Sequence, residues 1–333
     1  MSYFLFKLAF DTPVHFGNAE QGGKLEQINL DFPADTLFSA VCTELALHGE
    51  TETLQWFIDN IRNDDIVLSS LFPYLGEEGQ DFLYIPKPFL AVQPENCKDT
   101  VPLEELKKMA TNRKKQKKIN YIRCGSLLRY FTSLRTGGGF DEAADFGTAS
   151  LTQRVSRREE LPLPYYVAKY VFKENAGMYM VARFHEEADG KRFEKILSLL
   201  GLSGIGGKRS SGFGKFHVAD TVKLDDNCKG DAAALYHLLE DRSAEWQMNM
   251  SGILPDPVDL PSVKEGQYKL LKRSGFVSVT DGEPEMKKNS VYFLAAGSCF
   301  KKRIAGRVAI LGKAGDHEIL RYGKGLYVGL TLS

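Results

Sequence analysis

The chain has 333 residues, 43 of them basic and 43 acidic, and 43% are hydrophobic. That length can bury a large core and favours two domains over one. The even charge balance supplies no global field for a polyanion, so any nucleic-acid site must arise from local clustering. The five cysteines, Cys42, Cys97, Cys124, Cys228 and Cys299, lie far apart without C-x-x-C spacing. This argues against a disulfide framework or a zinc ribbon and fits a reducing cytoplasm.

The opening Met1–Phe10 is a short apolar run without a basic leader, so it reads as a strand and not a signal peptide. No apolar run reaches the roughly eighteen residues a membrane helix needs. Val14-His15-Phe16-Gly17 reads as a turn with an exposed imidazole, followed by a polar loop. A helix starts at Pro33-Ala34-Asp35, with Asp35 as its expected N-cap and Leu37, Phe38, Val41 and Leu45 on one face. A second helix spans Glu52 to Ile61. Phe82 to Phe89 is strand-like, but Pro86 and Pro88 demote it to an edge or a bulge.

Between Leu106 and Phe140 there are ten basic residues and no acidic one, with Tyr121, Tyr130 and Phe131 interleaved. A solvated helical face would look like this; so would a surface tracking single-stranded nucleic acid. Arg135 to Pro164 reads as a long mobile connection containing Arg154, Arg157 and Arg158. Tyr165–Phe172 and Gly177–Phe184 read as strands joined by a tight turn. Arg192–Leu200 reads as a helix and Lys215–Leu224 as a strand. Beyond Asp225 the pattern gives a helix over Ala232–Met248. Strands follow at Tyr268–Val279, Val291–Ala296, Gly306–Leu311 and Leu320–Leu332, and the last holds a possible bulge at Tyr322-Gly323-Lys324-Gly325.

Gly201–Gly214 stands out, because six of its fourteen residues are glycine. Glycine costs roughly 0.5–1 kcal/mol in an element interior, so the cluster marks a backbone that bends sharply or is closely approached. Ser203, Ser210, Ser211, Lys208 and Arg209 add hydroxyls and cations, which suits an anion. Leu202 and Arg209 stand where a P-loop needs glycine and a hydroxyl residue, and Arg209 also replaces the third glycine of a dinucleotide fingerprint. Ser211 and Lys215 break the octamer of RNA-recognition sheets around Gly212-Phe213-Gly214. The competing plain reading is a tight, solvated helix-to-strand turn.

His15-Phe16-Gly17, the helix start Asp35-Thr36-Leu37-Phe38-Ser39-Ala40 and the stretch Gly204–Gly214 occur in that order. Together they resemble the RAMP superfamily of CRISPR proteins, and most closely its Csm-type subunit four of type III-A effector complexes. The element order agrees with an α+β chain of two ferredoxin-like (RRM-like) domains. On this reading residues 1–224 form the first domain, with a basic insertion at about 90–164, a thumb-like loop and the glycine-rich loop. Residues 225–333 form a modified second one. The resemblance implies a non-catalytic, cytoplasmic subunit without cofactor or metal. Such a subunit grips the 5′ handle of the guide RNA (crRNA) and joins the large signalling subunit to the repeated RAMP backbone subunits in antiviral defence. The expected RNA contacts are His15, Gly17, Gly206, Gly207, Lys208, Arg209, Ser210 and Ser211. Arg154, Arg157 and Arg158 on the thumb, and Lys117, Lys118 and Arg123 on the insertion, complete the set. Phe16, Tyr121 and Phe213 are the candidates for base stacking. The alternative is a metal-independent RAMP endoribonuclease that processes guide precursors, with His15 as acid or base. The helix start departs from that of the target-cutting backbone subunits, so their catalytic aspartate is not carried over.

Overall fold

Alternation in the first strand sets the centre of the structure. The computed structural model describes residues 1–17, 25–93, 102–142, 144–156, 163–275, 288–314 and 317–332. Strand β1 (Ser2–Phe10) sends Phe4, Phe6 and Leu8 into one apolar cluster and Tyr3 and Leu5 into another, as the period of two requires. After it come helices α1 (Ala34–Leu47) and α2 (Thr51–Arg62), then strands β2 (Ile66–Leu68), β3 (Phe72–Glu77) and β4 (Gln80–Pro86). The insertion contributes α3 (Leu103–Lys117), β5 (Tyr121–Arg123) and α4 (Leu127–Thr136), and then a long hairpin, β6 (Gly147–Ser156) and β7 (Leu163–Phe172). Strand β8 (Ala176–Phe184), helix α5 (Ala188–Ser203) and strand β9 (Phe216–Leu224) complete this half.

The antiparallel sheet runs β5–β4–β3–β8–β1–β9, and β2 pairs with β8 beyond the end of β3. Strands β2 and β3 are thus two pieces of one line, broken at Ser69–Leu71. Without the insertion, this is the strand order of a split βαββαβ unit. One face carries α1, α2 and α5 through Phe38, Val41, Phe57, Ile61, Phe193 and Leu197.

The second half contains α6 (Gly230–Glu240), β10 (Trp246–Asn249), α7 (Leu260–Lys264), β11 (Leu270–Arg273), β12 (Val291–Leu294) and β13 (Cys299–Phe300). It closes with β14 (Ala309–Ala314), β15 (His317–Arg321) and β16 (Tyr327–Leu330). These form a sheet β13–β10–β16 and two hairpins, β11–β12 and β14–β15. Leu235, Leu239, Met248, Val328 and Leu330 pack with Leu5, Tyr179 and Val181 on the other face of the first sheet. Each burial of a Leu, Val or Met here stabilises by roughly 1.5–3 kcal/mol. That face is therefore closed, and Tyr3, Tyr74 and Tyr179 on it are buried. No open aromatic platform of the RNA-recognition kind remains there.

Polar clasps reinforce the junction. The buried Asp35 carboxylate accepts from Arg273 Nε (3.1 Å) and Nη2 (3.0 Å) and from Arg321 Nη1 (2.6 Å). The Tyr322 hydroxyl accepts from the Leu68 amide (2.8 Å) and donates to the Leu68 carbonyl (3.0 Å). Lys324 Nζ reaches Asp64 (2.6 Å) and the Arg62 carbonyl (2.8 Å).

Several expectations need correction. Asp35 is no N-cap: Pro33 holds that position, and the Ala34 amide donates to Ser70 Oγ (3.1 Å). Strand β4 is no edge strand, since it pairs with β3 and β5, and Pro86 merely ends it. The helix expected to reach Met248 stops at Glu240, and Trp246–Asn249 is a strand. Strand β7 turns back on β6 and does not pair with β8. Part of the stretch read as a mobile connection is regular, since Arg135 and Thr136 end α4 and Gly147–Ser156 form β6. The Tyr322–Gly325 segment is a buried connection between β15 and β16, not a bulge within one strand.

Candidate nucleic-acid interface

Helix α5 ends at Ser203, and the chain turns through Gly204, Gly206, Gly212 and Gly214, all with φ between +80° and +88°. Lys208 is also left-handed, at φ +63°. Most of the loop's amides are consumed internally. Gly204 donates to Leu200, Ile205 to Gly214, Gly207 to His15 and Gly214 to Pro13. Space explains the same glycines. A Cβ on Gly214 would lie 1.9 Å from the Ile205 carbonyl oxygen, and one on Gly206 2.8 Å from the His15 carbonyl oxygen. A Cβ on Gly207 would meet the His15 ring at 2.7 Å. These glycines let the loop pack on the His15 turn, and Gly207 and Gly214 spend their amides there. Gly212 differs, because a Cβ there meets nothing within 4 Å. Gly212→Ala is expected to cost only the left-handed strain of about 1–2 kcal/mol, read as a lowered melting temperature. Gly214→Ala should melt lower still, and equal melting of the two would contradict the packing role.

The solvent-facing part of the loop is its tip. Ser210 and Ser211 are exposed and Lys208 and Arg209 half-buried. The amides of Gly206, Lys208, Arg209 and Ser210 take no partner among the described residues. The β6–β7 hairpin lies across this tip. Arg154 Nη1 donates to Ser211 Oγ (3.0 Å), and its guanidinium sits 5.3 Å from the Phe213 ring centre. Lys208 Nζ stands 5.3 Å from the ring centre of Tyr165, the cross-strand partner of Arg154. Arg154, Lys208 and Arg209 form no ion pair with any described residue. Arg154, Lys208 and Ser211 thus meet where two elements cross, and Arg209 and Ser210 lie between the latter two in the chain.

His15 is not the exposed imidazole expected. It is 5% exposed, and Nδ1 donates to the Ala168 carbonyl (2.7 Å), which ties the turn to β7. Its neighbour Gly17 is exposed. The three stacking candidates are all occupied in packing. Phe16 is buried against Phe10 and Phe32. Tyr121 donates to the Leu30 carbonyl, and burial holds its phenol well above the ordinary pKa. Phe213 lies under Arg154. The exposed aromatic of the hairpin is Tyr166.

The insertion residues do not converge on this tip. Arg123 Nε pairs with the buried Asp231 (2.8 Å), and its guanidinium stacks 3.7 Å from the Phe82 ring centre, so it is a structural clasp. Lys117 and Lys118 are exposed at the end of α3. Arg157 and Arg158 lie outside the described residues. Sequence reasoning missed Tyr165 and also Glu44, a buried carboxylate that accepts from Ser203 Oγ (2.6 Å) at the loop's root. Only the Lys208–Tyr165 contact could have been sought, as a cation beside an aromatic strand.

No group of three or more His, Cys, Asp or Glu among the described residues could hold a metal ion. No described helix is long and apolar enough to cross a membrane.

Comparison with known proteins agrees with this architecture. Residues 242–330 match the family model "CRISPR Csm4 C-terminal domain". The chain is 28% identical over 334 residues to the CRISPR system Cms protein Csm4 of Mycobacterium tuberculosis, covering 99% of this chain and 98% of that one. It is 26% identical to the Streptococcus thermophilus protein of the same name, over the full length of both. Among solved structures, the Csm3-Csm4 subcomplex of the type III-A CRISPR-Cas interference complex matches with a TM-score of 0.63 at 18% identity, covering 99% of this chain and 100% of the matched one. The Csm1-Csm4 cassette in complex with pppApA matches with a TM-score of 0.61 at 20% identity, covering 100% and 99%. At those identities the structures speak for the α+β fold, and the full-length sequence matches speak for the family. Over its full length the chain is thus similar to Csm4 proteins of CRISPR systems, and its residues 242–330 match their C-terminal domain.

Proposed function

We propose that this chain is the non-catalytic subunit that grips the 5′ handle of the guide RNA in a type III-A effector complex and bridges the large subunit to the repeated backbone subunits. The observation that carries the reading is the crossing of the β6–β7 hairpin over the glycine loop. It brings Arg154 onto Ser211 and Tyr165 beside Lys208, next in the chain to Arg209 and Ser210, and none of the three cations has an acidic partner among the described residues. Arginine takes a phosphate bidentately, and lysine supplies a point charge. The hairpin fits the role of the thumb, and the C-terminal strands that of a second, modified ferredoxin-like unit. The related proteins named above in complexes with Csm1 and with Csm3 support the bridging role. An endoribonuclease built on His15 finds less support, because that ring is buried and bonded to Ala168.

The test is fluorescence anisotropy with a labelled guide-handle RNA. Five phosphate contacts would give a log–log salt slope of about −3.5. Lys208→Gln with Arg209→Gln should weaken binding about a hundredfold if each charged contact contributes roughly 1.5 kcal/mol. An unchanged affinity for the handle would remove the loop from the interface.

A further inference from the structure

The helix α3 has one anchored side and one turned to solvent. Every residue of Leu103–Lys118 is exposed except Met109, Asn112 and Gln116. Those three recur at helical spacing on one face, and each is held. Met109 packs against Gly137, where a Cβ would come within 2.4 Å of its methyl. Asn112 donates to the Gly137 carbonyl (3.1 Å). Gln116 donates to Ser133 Oγ (3.0 Å) and to the Gly138 carbonyl (3.1 Å). Lys87 Nζ closes the C-terminus on the carbonyls of Gln116 and Lys117 (3.4 and 3.0 Å). The helix is therefore fixed in orientation.

Turning about 100° per residue, Lys107, Lys114 and Lys118 fall on the face opposite that anchor, with Lys117 and Lys115 on its two flanks. Successive lysines of the stripe stand about 10 Å and 6 Å apart along the axis. The described ion pair on this helix is Lys107 with Glu104, three residues apart and exposed, and such pairs are worth little. The stripe is not a continuation of the glycine-loop surface. A cleft of about 1050 Å³ has Gly17 as well as Lys115 and Lys118 among its walls, and Asp31, Asp141 and Glu142 line it too. Those carboxylates disfavour a phosphate chain threaded through the cleft.

We infer that the outer face of α3 is a second, sequence-independent docking surface for the phosphate backbone of single-stranded RNA, acting alongside the glycine-loop site and not as part of it. The inference rests on the RNA-binding reading of this chain. A rigid row of lysines, of which only Lys107 has an ion pair among the described residues and that an exposed one, complements a polyanion, and without groups poised to read bases it adds affinity alike for every sequence.

The experiment compares the full-length chain with a variant carrying Lys107→Gln, Lys114→Gln, Lys115→Gln and Lys118→Gln. All four positions are exposed. The probes are the guide-handle RNA and an unrelated single-stranded RNA of equal length. With about −0.7 per contact, the variant's salt slope should be shallower by about 2.8 on both RNAs, so that between 50 and 200 mM salt the wild type loses about fiftyfold more affinity than the variant. Unchanged slopes on both RNAs would overturn the inference. So would a change on the handle RNA alone, which would assign these lysines to the loop site. The two readings fail separately. An α3-dependent slope with no preference for the handle sinks only the glycine-loop assignment, and a handle preference lost with Lys208 and Arg209, together with salt slopes that the α3 variant leaves unchanged on both RNAs, sinks only this one.

Discussion

Replacing Asp35 by alanine is expected to lower the unfolding free energy by about 3–5 kcal/mol, because it strands two buried guanidinium groups. Arg273 and Arg321 are 8% and 5% exposed, and both pair with this one carboxylate. Arg273 also donates to Thr36 Oγ1 (2.6 Å) and Arg321 to the Ser274 carbonyl (3.3 Å), but neither bond supplies a negative charge. The loss should appear as a lower urea midpoint with the m-value retained. Replacing all three by apolar residues of similar size, as in Asp35→Leu with Arg273→Met and Arg321→Met, should recover most of it, since the pair's desolvation cost vanishes together with its attraction. If Asp35→Ala melts like the wild type, the cluster does not hold the halves together.

The second large effect concerns Tyr322. Removing its hydroxyl in Tyr322→Phe leaves the buried amide and carbonyl of Leu68 without that partner, at a cost of about 1–3 kcal/mol. Tyr322→Ala also opens a cavity beside Phe38 and should cost about 3–5 kcal/mol. The physical reason lies in the broken strand line. Strand β2 pairs with β8 on one side, and the phenol supplies the hydrogen bonds on its other side that a neighbouring strand would give. Next to it, the Ser70 amide donates to the Met250 carbonyl (2.8 Å), so the C-terminal half completes this edge twice. Thermal melts of the two variants should rank alanine below phenylalanine below wild type. Equal melting of phenylalanine and wild type would mean that the Leu68 groups find other partners.

What could be read from the sequence follows the range of the forces involved. The faces of α1 and α5 were legible because Leu37, Phe38, Val41 and Leu45, and likewise Phe193, Ile196, Leu197 and Leu200, recur at helical spacing. The glycine loop was legible as a special backbone, but its reason was not. Crowding by the Ile205 and His15 carbonyls leaves the same glycines in the sequence that a phosphate would. Asp35 looked like a cap because capping is local, whereas its arginines lie 238 and 286 positions away. His15 looked exposed because its partner, the Ala168 carbonyl, is 153 positions on. The alanine-rich run after Gly230 masked the stop at Glu240, which is set by the pairing of Trp246–Asn249 with β13 and β16. The charge on α3 was plain, but which of its lysines point outward depends on where Met109, Asn112 and Gln116 are anchored.

The pairing of β1 also constrains how the protein is born. Among the described residues this apolar strand finds its neighbours in residues 178–184 and 216–224. At ~5–20 residues per second, a ribosome needs on the order of ten to thirty seconds to make the chain between Phe10 and Ala176. For that interval a nascent segment rich in phenylalanine and leucine has no strand to join, which makes the first ten residues the natural target of a holding chaperone during translation.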